Sequence, residues 1–109
     1  MSRIDQVNSL LRQELALAIN RHIDLEGGMI TVAEVDCAPD LKEAKILVSV
    51  LPERLAGTAL KKLRHISGEL AHELRKRLKF KNMPTFNWVF DERPSHASEL
   101  EEVISHLDE

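Results

Sequence analysis

A chain of 109 residues, 43% hydrophobic and 30% charged, suits one compact domain that buries its own core, and its single cysteine excludes both an intramolecular disulfide and a thiol-rich metal site. The net charge of −3 argues against a general affinity for polyanions, and no apolar run approaches the roughly 20 residues needed to cross a bilayer. "MSRIDQVNSLL" lacks the apolar segment of a secretion signal, so the sequence predicts a soluble cytoplasmic protein in which Cys37 is a small core residue.

Ile4, Val7, Leu11, Leu15, Ala18 and Ile19 recur at three- and four-residue steps and predict a first helix over residues 3–22, ended by "LEGG". "MITVAEVDCA" is rich in β-branched residues, with Ile30 and Val32 alternating against Thr31 and Ala33. After Pro39 and Asp40, both favourable in a turn, "AKILVSVL" supplies a second strand, and the two strands form a hairpin that Pro52 closes. Two helical segments follow, residues 55–66 with Leu60, Leu63 and Ile66, and residues 69–78 with Leu70, Leu74 and Leu78. Ser67 and Gly68 between them predict a break, because glycine inside a helix costs about 1 kcal/mol relative to alanine. "NMPTFNWVFD" alternates Phe86, Trp88 and Phe90 as a third strand, with Trp88 in the core, and the helical crossover into it predicts parallel or next-but-one pairing. "SHASELEEVISHL" predicts a short terminal helix on Leu100, Val103, Ile104 and Leu107, or else an acidic tail. The order is α-β-β-α-α-β, an α+β fold with helices packed on one face of a three-stranded mixed sheet; residues 1–95 form the domain and residues 96–109 the extension.

Charge is distributed unevenly. Residues 61–81 hold eight lysines and arginines against Glu69 and Glu73, a local +6, which leaves −9 for the rest of the chain. Such a stripe creates a positive local potential whatever the total charge. Its plainest reading is a solvated helix face, and its functional reading is a nucleic-acid contact. A helix-turn-helix fits poorly, because the leading end of its second helix would present Glu69 and Glu73 to phosphate. A K-homology arrangement fits better: a break between helices exposes amide donors to a single-stranded backbone, Ser67 caps the second helix and Gly68 leaves room for the chain.

Signals for an enzyme are weak. His65, Glu69 and His72 share one helical face if the break is ignored, but they match no zinc-hydrolase spacing, and His96 and His106 lie in the polar extension. Ser67 has no base and orienting partner beside it, and no glycine-rich nucleotide loop is present, so no catalytic residue, metal, cofactor or small-molecule substrate is expected.

Over about residues 3–95 the chain resembles bacterial ribosome-binding factor A, a type II K-homology domain family. The resemblance rests on "SRIDQVNSLLRQELALAI", on "ITVAEVDCAPDLKEAKILVSVL" around Asp40, Leu41 and Ala44, on "HISG", and on "LKFKNMPTFNWVFD" with Pro84, Phe86, Trp88 and Asp91. It implies a kink at Ile66, Ser67 and Gly68 in place of the two-glycine loop of other K-homology proteins. The chain departs from the family pattern at Ile66, Gln6 and Ala71, which moves the expected phosphate contacts toward Arg75, Lys76, Arg77, Lys79 and Lys81. The implied function is a monomeric, non-enzymatic assembly factor that binds immature small (30S) ribosomal subunits and 16S ribosomal RNA, assists late 16S rRNA maturation and leaves. The expected RNA-binding set is Lys61, Lys62, Arg64, Ser67, Gly68, Arg75, Lys76, Arg77, Lys79 and Lys81. The alternative is a protein-interaction domain that offers the basic stripe to an acidic partner.

Overall fold

The computed structural model describes residues 3–93; the terminal segment expected as helix or tail, with His96 and His106, lies outside the described residues. The chain runs through α1 (Arg3–His22), β1 (Met29–Cys37), β2 (Glu43–Leu51), a 3-10 turn (Glu53–Leu55), α2 (Ala56–Leu78) and β3 (Thr85–Phe90). β1 and β2 form the expected antiparallel hairpin, and β3 joins β2 in parallel, giving a mixed sheet in the order β1-β2-β3. α1 lies against β1 and α2 against β3, and the two helices touch each other, so the expected α+β layering holds.

One face of the sheet supplies the core. Ala44, Ile46, Val48 and Val50 alternate inward along β2, and Phe86 and Trp88 do so along β3. On β1 the alternation is interrupted: the pairing register shifts between Val32 and Glu34, and this bulge keeps Val32, Val35 and Cys37 all facing the helices while Glu34 and Asp36 stay outside. Cys37 is 4% exposed, and burial, with the charge of Asp36 adding to it, pushes its thiol pKa up. Its backbone N–H donates to Asn8 Oδ1 at 2.9 Å, so a side chain of α1 satisfies a donor on the edge strand. Gly28 is fixed by space: a Cβ there would stand 2.8 Å from the Leu51 carbonyl oxygen and 2.7 Å from Leu55 Cδ1.

The helical layer differs from expectation in one respect. The two segments expected around Ser67 and Gly68 form a single helix of 23 residues, which starts after Leu55 and ends at Lys79 in the left-handed conformation (φ 56°). Ala59, Leu63, Leu70 and Leu74 make one buried stripe that passes Gly68 on its far side, and the burial of that stripe outweighs the local cost of glycine. Ser67 therefore caps no helix; its Oγ accepts a hydrogen bond of 3.1 Å from the Trp88 indole Nε1. This ties the middle of α2 to β3, where Trp88 also meets Phe86 edge to face, with ring centroids 5.7 Å apart.

Two carboxylates, Glu73 and Glu14, join the helices through three charge contacts. Glu73 on α2 accepts from Arg21 Nη2 at 2.7 Å and lies 2.6 Å from His22 Nε2, both at the end of α1. Arg77 Nε stands 2.7 Å from Glu14 Oε2; the approach is a charge contact without hydrogen-bond alignment, and it gives that buried oxygen its polar neighbour.

Two outcomes are expected. Ser67→Ala leaves the Trp88 indole donor without its partner and should lower unfolding free energy by about 1 kcal/mol, read by urea unfolding on the fluorescence of the sole tryptophan. The Glu73 carboxyl is held below its ordinary pKa by the hydrogen bonds from Arg21 and then His22. Its contribution to stability is therefore complete above the ordinary carboxylate pKa and is lost as pH falls through the depressed folded value. Urea midpoints measured from neutral pH downward should fall less steeply for Glu73→Gln than for the unaltered protein.

Candidate nucleic-acid interface

The buried stripe of α2 decides which of its residues meet water. With Leu63, Leu70 and Leu74 turned to the sheet, Lys61, Arg64, Gly68, His72 and Arg75 follow one another at three- and four-residue steps along the opposite side, all exposed. Lys61 and Arg75 are 14 positions apart, roughly 21 Å along the axis at 1.5 Å per residue. Lys76 and His65 flank this ridge. Among the described residues, none of Lys61, Arg64, Arg75 and Lys76 makes an ion pair.

At the centre of the ridge stands Gly68. Its φ lies outside the left-handed region, and a Cβ built on it meets nothing within 4 Å. Neither backbone conformation nor packing inside the molecule requires glycine there. The position gives a strip of bare helix backbone between cations on both sides.

The other residues expected in the site are placed differently. Lys62 reaches the loop between α1 and β1 and donates to the Asp24 carbonyl oxygen at 3.3 Å. Ser67 is half-buried against Trp88, and Arg77 is engaged with Glu14. Lys79 and Lys81 lie beyond the helix end, where they line a groove of about 960 Å³ together with Arg3 and Lys42. The expected set is therefore divided into an exposed ridge, an end groove and side chains held by neighbouring elements.

Arg3 and Lys42 were not legible as part of this surface. Each lies far along the chain from the basic segment, and only the fold brings them to it: the Thr85 N–H donates to the Lys42 carbonyl oxygen at 2.9 Å, which pins the start of β3 to the β1–β2 turn. In that turn the Ala38 N–H donates to the Glu43 carbonyl oxygen and the Asp40 side chain accepts from the Lys42 N–H at 3.0 Å. His65, Glu69 and His72 are exposed on α2, and among the described residues no group of three or more histidine, cysteine or acidic side chains is placed to hold a metal ion.

Comparison with known proteins agrees with this architecture. The family model described as ribosome-binding factor A matches residues 3–104. A ribosome-binding factor A from Opitutus terrae is 31% identical over 108 residues, covering 98% of this chain and 88% of the relative. The crystal structure of ribosome-binding factor A from Thermus thermophilus superposes with a TM-score of 0.72 at 21% identity, over 80% of this chain and 93% of that one. A homology model of the Thermus thermophilus factor, fitted into the cryo-EM map of its complex with the 30S subunit, gives a TM-score of 0.61 at 18% identity, over 74% of this chain and 87% of that one. Likeness at these structural identities carries the fold, while the family model and the sequence relative carry membership: the chain belongs to the ribosome-binding factor A family.

Proposed function

We propose that this protein binds immature 30S subunits in the cytoplasm, contacts 16S ribosomal RNA through the exposed ridge of α2, and assists late maturation of that RNA by stoichiometric binding, as a monomer and without catalytic turnover. The observation that carries the reading is Gly68, an exposed mid-helix glycine between Arg64 and Arg75 that the fold itself does not need. A phosphate chain can approach bare backbone more closely than a side chain permits, and unpaired cations on either side favour it electrostatically. Outside residues 61–81 the chain carries a net −9, which disfavours RNA wherever those acidic side chains are exposed. Family membership and the 30S complex of the Thermus thermophilus factor support the choice of partner.

Binding of this kind is strongly salt-dependent: log affinity should fall with log salt by about 0.7 to 0.9 for each phosphate neutralised. In sucrose gradients the protein should travel with free small subunits and not with translating ribosomes. A Lys61→Glu, Arg64→Glu, Arg75→Glu variant, which spares the Glu14–Arg77 pair, should leave those fractions while keeping its unfolding midpoint. Association that survives nuclease treatment but is lost on this charge reversal would favour an acidic protein partner instead.

Gly68→Ala separates the two roles of the helix. It should raise unfolding free energy by about 0.5 to 1 kcal/mol, since alanine fits the backbone and space there. The same change should weaken RNA binding in filter or anisotropy titrations; unchanged affinity would remove close backbone approach from the mechanism.

A further inference from the structure

We propose that the end groove is a second RNA site, one that takes an unstacked nucleobase of a single strand with its flanking phosphates. The inference rests on the RNA reading above and extends it to a surface distinct from the ridge. Three chain segments build the groove: the start of α1, the β1–β2 turn and the connection from α2 to β3. Each contributes cations. Arg3 comes from the first, Lys42 from the second, Lys79 and Lys81 from the third, and among the described residues none of the four makes an ion pair. The one carboxylate in the lining, Asp40, accepts from the backbone N–H of Lys42 and so is engaged in its own turn.

The floor of the groove is apolar. Leu10, Phe80 and Met83 line it, and Leu10 is 43% exposed, one of three large hydrophobic side chains left that open among the described residues. An apolar floor beneath a cationic rim matches a nucleotide, whose base is a flat ring of low polarity on both faces and whose phosphates are anionic. A duplex keeps its bases stacked and paired, so it presents no ring to such a floor. The two non-glycine residues with positive φ among those described, Leu41 (59°) and Lys79 (56°), both line this groove, where they turn the chain at its rim.

The test is a set of fluorescence-anisotropy titrations with two RNAs of one sequence, single-stranded and annealed to its complement, across a salt series. The unaltered protein should bind the single strand about tenfold more tightly than the duplex. Leu10→Ser, at an exposed position, should erase that preference while keeping duplex affinity. Lys42→Ala with Lys81→Ala should flatten the salt slope for the single strand by about 1.4, corresponding to two phosphates. Equal affinity for the two RNAs, or a preference and slope unchanged in these variants, overturns the groove while leaving the ridge in place. Failure of the unaltered protein to bind either RNA overturns the RNA reading itself, and the groove falls with it.

Discussion

An α-helix can turn only one stripe toward a sheet, and for α2 that stripe is set by Ala59, Leu63, Leu70 and Leu74 against strands that offer Ile46, Phe86 and Trp88. Once the stripe is seated, the helix has no rotational freedom left, and everything else about its surface follows. Arg64, Gly68 and Arg75 have to face water. Ser67, one position away from the glycine, has to face the indole of Trp88. The hydrogen bond between them is the polar counterpart of the apolar stripe: it gives the sole tryptophan its acceptor and holds the rotation of the helix at mid-length.

Electrostatics then sorts the basic segment more finely than composition does. Arg77 shares the helix side that faces α1 and is engaged by Glu14, a side chain only 16% exposed, so stripping its guanidinium would leave a carboxylate poorly hydrated and unpaired. Glu73 draws its partners from α1, Arg21 and His22, and therefore does not neutralise neighbouring Arg75 or Lys76. These two acidic residues of the helical layer thus serve to join helix to helix, and the ridge keeps its positive field. A net negative chain can carry a positive ridge because most of its acidic residues lie outside α2, and Glu73, within it, is engaged by α1.

Much of the fold was legible because its signals are local. Residues 3–22 carry an unbroken helical period, and the β-branched runs flanking Pro39 and Asp40 mark a hairpin; both stand where expected. The bulge of β1 was not visible, since simple alternation from Ile30 and Val32 would have turned Glu34 and Asp36 inward, and only pairing with β2 resolves the phase. The helix break was misjudged for a different reason. Glycine propensity is a local cost of about 1 kcal/mol, and the burial of four leucine and alanine side chains on one continuous stripe exceeds it. For the candidate site, Lys61, Arg64, Arg75 and Lys76 were picked out by charge and Gly68 by the expected break, whereas Lys42 joins the end groove through the pairing of β2 with β3 and Arg3 through the packing of α1 on β1, contacts between distant parts of the chain.

Cys37 lies beneath α1 at the end of the edge strand, with its backbone N–H held by Asn8 and its thiol kept protonated by burial. A thiol in that state is a poor nucleophile. At 4% exposure it is also poorly placed to exchange with a small thiol or to couple to a second copy. The charged surfaces of the domain are thereby separated from its one thiol, so a change in redox conditions leaves them as they are.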